Sequence, residues 1–259
     1  MTQNIELRNG FLMPQLAIGT AFVDDPEAIR KSIAIALKIG YRHVDVDQAF
    51  AGTAGVNSAL HMAGLDREQV FITGKLSIEV VEHYGIKKAI DRLLNSLETS
   101  YVDALLMRDL GSVGKNAAAW QKMIRVLQEG QTRAIGVVDF NQGKLQKLMD
   151  STGETLMIDQ YVVRIGDTSS SLLNFCKEHN ITVEAYSPVM HGLLLRAPIV
   201  GQLVRKYQVS VNQLCMRYVI QQGLAVWRQT TNADHMVENH QIDFSIESDD
   251  LKALKKLSI

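Results

Sequence analysis

Side chains able to do chemistry recur at one kind of place in this sequence, just beyond short apolar runs. Asp45 and Asp47 close one such run, Lys75 the next, then Arg108 with Asp109, Asp139, Asp159 with Gln160, Tyr186 with Ser187, and Arg228 with Gln229. Asp45 follows an inward-alternating apolar stretch and Lys75 ends the neighbouring one, so a buried Asp/Lys pair across two strands is geometrically reasonable. Such a pair tunes the proton affinity of a third group. Arg108 is suited to polarise a carbonyl or to grip a carboxylate in bidentate fashion. Any one of these charges taken alone fits a solvated rim group equally well. Their convergence points to a site.

The elements that must position these residues read as alternating strand and helix. Leu16–Thr20, His43–Asp47, Val70–Gly74, Asp103–Met107, Ala134–Val138, Met157–Gln160, Thr182–Tyr186 and Ala225–Trp227 are the candidate strands. Between them lie amphipathic helical patterns. In one, Asp25 is the N-cap and Pro26 the first helical residue, Ile29, Ile33, Ala36 and Leu37 form one face, and Gly40 is the stop. In another, Trp120, Met123, Ile124 and Leu127 repeat the stripe. Parallel strands joined by crossover helices follow from this alternation, and eight such units close into a (β/α)8 TIM barrel. Before it, Ile5–Arg8, Asn9-Gly10 and Phe11–Met13 read as an N-terminal β-hairpin with a primed turn. The competing architecture, an open doubly wound sheet, normally carries GxGxxG or a P-loop after its first strand, and neither motif is present.

Composition is consistent with one α/β domain spanning residues 1–259. Apolar residues make up 46% of the chain and charged residues 21%, enough for a sizeable core. Lys and Arg total 27 against 28 Asp and Glu, so no global field draws the chain to nucleic acid or anionic lipid. A small-molecule substrate is the expected partner. Cys176 and Cys215 have no CxxC or Cys/His partner at metal spacing, which suits reduced thiols in a cytoplasmic protein without a bound metal. Met1–Arg8 has no apolar h-region and no stretch approaches the ~18 apolar residues of a membrane span, so neither secretion nor membrane insertion is expected.

At Gly40-Tyr41-Arg42-His43-Val44-Asp45 the sequence resembles the aldo-keto reductases. The likeness continues through Phe71-Ile72-Thr73-Gly74-Lys75, Ala134-Ile135-Gly136-Val137 and Val183-Glu184-Ala185-Tyr186-Ser187-Pro188. It runs from the opening hairpin and Ile18-Gly19-Thr20 to Glu238-Asn239, essentially the whole chain. The resemblance implies a (β/α)8 barrel with NADPH extended across its mouth. It also implies reduction of a carbonyl by hydride transfer to carbon and proton donation to oxygen. Reductases of this family use an Asp, a Tyr, a Lys and a His; the Asp is carried over as Asp45 and the Lys as Lys75. The Tyr should fall five residues after the Asp, where Phe50 stands, and the His position holds Arg108. Phe50 has no hydroxyl to give, and loss of a positioned general acid typically costs ~10²–10⁴ in rate. Arg108, with a pKa above ~12, is a binder and a poor acid.

On the cofactor side, the resemblance implies a Ser-Asn pair and a Gln on the nicotinamide carboxamide and a Tyr under the ring. Here the pair is Val138-Asp139, while Gln160 and Tyr186 remain. Ser187 and the loop to Gly192 resemble the diphosphate-binding stretch. Arg228 stands where a Lys for the 2′-phosphate is common, Gln229 replaces a Ser and is followed by Thr230, and His235 lies near the usual Arg after a one-residue insertion. Glu238-Asn239 keep the adenine contacts. A cation at Arg228 favours NADPH over NADH, because the extra phosphate brings about two negative charges. Family members with narrow specificity carry long insertions after the fourth strand and an extended C-terminal tail. Here Gly111–Asn116 is short and the chain stops at Ile259, so an open mouth is expected. His191 and Tyr161 lie near the expected rim, either as stand-ins for the missing donor or simply as packing residues.

Three functions follow as alternatives. The first is an NADPH-dependent oxidoreductase acting on a small carbonyl or imine with a degenerate catalytic set. The second is an NADPH-binding pseudo-enzyme without efficient reduction. The third is a non-redox lyase or isomerase using Lys75 as a Schiff-base or general-base lysine.

Overall fold

The computed structural model describes every residue except 1, 2, 22, 24, 49–52, 54, 167–169, 187–193, 195, 196, 258 and 259, and the side chain of Ser170. Phe50, Ser187, His191 and Gly192, singled out above, lie outside the described residues.

The chain opens with a hairpin of β1 (Asn4–Glu6) and β2 (Leu12–Pro14), paired with Ile5 opposite Met13. Its turn corrects the sequence expectation. The Gly10 N–H bonds the Leu7 carbonyl, and the Leu7 N–H bonds the Phe11 carbonyl. Only Gly10 has positive φ, at 85°, with Asn9 in the ordinary region. That is a three-residue loop with a glycine bulge; a two-residue primed turn needs positive φ at both central residues.

Eight strands then close a parallel barrel: β3 (Leu16–Gly19), β4 (His43–Asp47), β5 (Phe71–Lys75), β6 (Val102–Arg108), β7 (Thr132–Val138), β8 (Ile158–Val162), β9 (Thr182–Tyr186) and β10 (Ala225–Gln229). These are the eight runs read from sequence, with ends shifted by at most two residues. Successive residues of a strand face opposite sides. Val44 and Val46, Ile135 and Val137, and Val183 and Ala185 pack outward with the helices in one large cluster. Phe71, Ala104, Leu106, Ala134, Ile158 and Ala225 fill the lower barrel interior, where Leu7 and Met13 of the hairpin plug its N-terminal end.

The helices form for the reasons their sequences advertise. In α1 (Pro26–Ile39) the Asp25 carboxylate accepts the Glu27 N–H at 3.0 Å, and the buried face is Ile29, Ile33, Ala36 and Leu37. In α4 (Val113–Gln128) Trp120 and Met123 are buried, while Ile124 and Leu127 pack at the edge of the core. Only residues 109–112 separate β6 from α4, so that loop is short, as expected. The two cysteines are free and buried. Burial pushes both thiols up to about 12, which makes them packing residues and not nucleophiles. Among the described residues no helix is long and apolar enough to cross a membrane, and no group of His, Cys, Asp and Glu could hold a metal ion.

Candidate active site at the barrel mouth

Strand parity decides which residues meet. His43, Asp45 and Asp47 share one face of β4, and Phe71, Thr73 and Lys75 share one face of β5. The register sets Asp45 beside Thr73 and Asp47 beside Lys75. The same inward face receives Arg108 of β6, Gln160 of β8, Glu184 and Tyr186 of β9, and Trp227 of β10. At its centre the Lys75 ammonium lies 2.6 Å from Asp45 Oδ1 and donates to Gln160 Oε1 at 3.3 Å. Gln160 Nε2 donates to Asp45 Oδ2 at 2.9 Å and to Glu184 Oε2 at 2.8 Å. Lys75, Asp45, Gln160 and Glu184 are all buried. The Asp/Lys pair expected from sequence is therefore formed. Gln160, whose two amide hydrogens and oxygen are all engaged, serves as the cross-brace that holds it.

Below this network His43 packs edge-on against Phe71. Its Nδ1 lies 3.0 Å from the Pro14 carbonyl, which can only accept, so Nδ1 carries the hydrogen. Burial lowers the histidine pKa, so the ring is neutral and Nε2 accepts from the Thr73 hydroxyl at 2.8 Å. Glu184 is raised to about 8, chiefly by burial and next by the Asp45 carboxylate. Because its folded value lies above the ordinary 4.5, Glu184 stabilises the fold fully below about pH 4.5, and that contribution is lost as pH rises through about 8. Thermal unfolding followed from pH 5 to pH 9 should show the midpoint falling as pH rises. Glu184→Gln should flatten that slope, and an unchanged slope would assign it to another group.

At the rim, Arg108 Nη2 donates to Asp47 Oδ2 at 2.6 Å, and the same oxygen lies 3.9 Å from Lys75 Nζ. Arg108 is 30% exposed, whereas Asp47 is buried. Arg108 thus spends one nitrogen within the protein. Asp139 sits at the end of β7 in the left-handed region, φ 60°, which Asp tolerates, and accepts the Tyr186 hydroxyl at 2.6 Å. Tyr186 also stacks on Trp227. At the mouth the loop after β6 is short, and the polar floor below it is covered, leaving Lys75 buried.

The Trp227 ring needs the backbone of β3 close beneath it. A Cβ at Gly19 would stand 2.4 Å from Trp227 Cε3. Gly19→Ala should cost about 1–3 kcal/mol through this overlap, read by urea unfolding together with a shift in tryptophan emission. A neutral substitution would mean that the ring moves aside freely.

Three further residues from the sequence reading do not enter the mouth. Asp159 and Tyr161 have the parity opposite to Gln160 and face the outer shell; Tyr161 packs in the outer core. Asp159 is buried, and desolvation aided by nearby Asp139 raises its carboxyl well above the usual range. Asp109 is bound by Lys144 at 2.8 Å and by the Asn116 amide at 2.8 Å, which makes it a loop brace.

A second group lies outside the barrel wall beyond β10. Arg228 points outward, opposite in parity to Trp227, into the neighbourhood of Tyr41 and Cys215. Burial lowers the affinity of this guanidinium for its proton, and its Nε is buried with no hydrogen-bond partner among the described residues. Asn239, in α9 (Ala233–His240), is buried with its Oδ1 equally unpartnered. Glu238 receives a hydrogen bond from the Ser210 hydroxyl. Thr230 Oγ1 accepts the Asn232 N–H at 3.1 Å, and the Asn232 side chain caps α9 on the N–H groups of Asp234 and His235. The His235 side chain is exposed, and Gln229 is half-buried at the end of β10. A partly buried guanidinium with an orphaned Nε suits an anionic ligand, and the orphaned amide oxygen of Asn239 suits a ligand that also carries a hydrogen-bond donor.

The residues that sequence reasoning left unassigned are Asp47 as the partner of Arg108, His43 and Glu184 as the floor of the network, and Trp227 as its cover. All four share the parity of a residue already chosen, and counting by twos from Asp45, Tyr186 and Gln229 finds them.

The aldo/keto reductase family model matches residues 13–259. The methylglyoxal reductase of Escherichia coli K12 is 31% identical over 257 residues, spanning 98% of this chain and 92% of that protein. The crystal structure of an aldo/keto reductase from Brucella melitensis superposes with a TM-score of 0.93 at 29% identity, covering 99% of each chain. An aldo-keto reductase of Bombyx mori in complex with NADP superposes with a TM-score of 0.87 at 26% identity, covering 98% of this chain and 92% of that one.

Proposed function

The chain belongs to the aldo/keto reductase family, and from that premise we propose that it binds NADPH across the barrel mouth and reduces a small carbonyl or imine compound with a degenerate catalytic set. The observation that carries this reading is the buried Lys75–Asp45 pair, 2.6 Å apart and braced by Gln160. The methylglyoxal reductase relative supports a small, reactive carbonyl as substrate, and the NADP complex of a structural relative supports the cofactor.

The residues fit the adenosine end of that cofactor. Arg228 would take the 2′-phosphate, Asn239 and Glu238 the adenine, and Gln229, Thr230 and His235 the flank between them. Ser187 would contribute to the diphosphate, and Tyr186 with Asp139 would border the nicotinamide. When bound, NADPH supplies the hydride. A charge-assisted contact is worth about 1.5–3 kcal/mol, so Arg228→Ala should weaken NADPH binding by about 10- to 100-fold. NADH binding should stay unchanged, and equal losses for both would place Arg228 away from the 2′-phosphate.

Phe50 in place of Tyr and Arg108 in place of His would leave no strong proton donor, so a carbonyl oxygen would take its proton from water or from a rim residue such as His191. A protonated imine needs none. Arg108 still has donors to offer an anionic group on the substrate while Asp47 holds it in place. Following NADPH absorbance with methylglyoxal, simple aldehydes, ketones and cyclic imines tests the reading. Slow turnover of at least one class is expected, and no consumption above background with any would refute it.

Engagement of Arg108 by Asp47 favours the second reading, a protein that binds NADPH without efficient reduction. The lyase alternative loses ground: the Lys75 ammonium is buried and ion-paired, so it has no lone pair free to attack a carbonyl. Borohydride trapping should leave Lys75 unlabelled.

A further inference from the structure

Trp227 has no role in the reading above, yet it occupies the centre of the mouth. Its indole stacks on Tyr186 with centroids 5.8 Å apart and planes 28° from parallel. It also lies over the Lys75 ammonium, 4.2 Å from Nζ to the ring centroid. Small residues make its room: Ala17 and Ala21 pack against it, and Gly19 passes beneath, where a Cβ would collide. Its Nε1 is buried with no hydrogen-bond partner among the described residues. A buried indole usually finds such a partner. Here only stacking, cation–π attraction and burial hold the ring, and another planar ring could supply all three.

We propose that the Trp227 indole is a built-in occupant of the seat that a planar ring must take to reach Lys75, so that Trp227 selects which ring-bearing ligands the mouth admits. Rotating outward costs the indole its stacking on Tyr186, its place over the Lys75 ammonium and its burial, gives Nε1–H the water partner it lacks inside, and leaves a seat in which an incoming planar ring restores the stacking and the cover. The closed and open arrangements therefore lie near enough in free energy for a ligand to choose between them. A dinucleotide would bind mainly through its adenosine end. Its ring end would gain affinity only in the fraction of molecules whose indole is out. This inference rests on the dinucleotide reading of the previous subsection.

The test is calorimetric titration of wild type and Trp227→Ala with 2′,5′-ADP, which has the adenosine end alone, and with NADPH. The first ligand should bind both proteins alike. NADPH should bind wild type only a few-fold more tightly than 2′,5′-ADP, and Trp227→Ala should tighten NADPH by about tenfold or more, as expected if the open state is at most about a tenth populated. Emission of Trp227, taken as wild type minus Trp227→Phe, should move to longer wavelength with NADP in its oxidised form and stay put with 2′,5′-ADP. That readout needs no Trp227→Ala protein, so it stands even if that variant fails to fold. Equal NADPH affinity in wild type and Trp227→Ala, or an unmoved emission at saturating dinucleotide, overturns the proposal. If 2′,5′-ADP binds neither protein, the dinucleotide reading falls first and takes this inference with it.

Discussion

Combining Phe50→Tyr, Arg108→His and Asp47→Ala should raise reductase activity on a generic small aldehyde by about 10²–10⁴ over wild type, the range a positioned general acid supplies. The third substitution comes from the structure. Arg108 Nη2 lies 2.6 Å from Asp47 Oδ2, and Asp47 is buried. Placing His at 108 alone strips that carboxylate of its guanidinium and draws it toward Lys75, already 3.9 Å away. Removing one partner of a buried pair typically costs ~3–5 kcal/mol, and the lower end applies here because Arg108 is 30% exposed. Phe50→Tyr with Arg108→His should therefore be unstable and inactive, with Asp47→Ala restoring the stability. All variants keep Trp227, so its covering of the mouth affects them alike. Steady-state rates at saturating NADPH check the claim. An inert but folded triple variant would show that the nicotinamide is kept from Lys75, by the Trp227 indole or by the Val138-Asp139 corner.

Lys75→Met should be the most damaging single change to stability, costing about 3–5 kcal/mol. It deletes the ammonium that lies 2.6 Å from Asp45 and donates to Gln160, and it leaves the Asp45 carboxylate buried without its cation beside Asp47 on the same strand face. Only Gln160 Nε2 would still serve Asp45, and its second hydrogen is committed to Glu184. Adding Asp45→Asn removes the stranded charge and should recover part of the loss, because replacing both members of a buried pair is far cheaper than removing one. Urea unfolding of the two variants measures the coupling. A Lys75→Met protein within about 1 kcal/mol of wild type, the range typical of an exposed pair, would show that the floor is hydrated instead of sealed.

The architecture was legible because apolar period-two runs and capped helical stripes are local signals. Asp25-Pro26 at the start of α1 and Gly40 at its end needed nothing distant to be understood. The hairpin turn was misread because Asn-Gly serves both a primed turn and a glycine bulge, and the choice depends on how Leu7 and Met13 enter the barrel floor. Within the site, Asp45 with Lys75 was legible from adjacent strands. Asp47 with Arg108 was not, since β4 and β6 are not paired and the two side chains meet past the intervening β5. The bracing role of Gln160 was not legible from sequence either: Glu184 is its register partner on β9, but Asp45 comes from β4, and only closure of the barrel brings that carboxylate to it. Trp227 reads from sequence as one more apolar strand residue. Its meaning comes from Gly19 and Ala21 leaving space on the neighbouring strand β3 and just beyond it.

The proposed function requires the barrel mouth and the residues around Arg228 to hold a reduced dinucleotide bearing a 2′-phosphate. Titrating the purified protein with NADPH and with NADH by calorimetry tests this most directly. A dissociation constant below about 1 mM for NADPH, worth at least about 4 kcal/mol, is predicted, with NADH at least about tenfold weaker for want of the Arg228 contact. Failure of NADPH to bind at millimolar concentration, or equal affinity for the two dinucleotides, would contradict it.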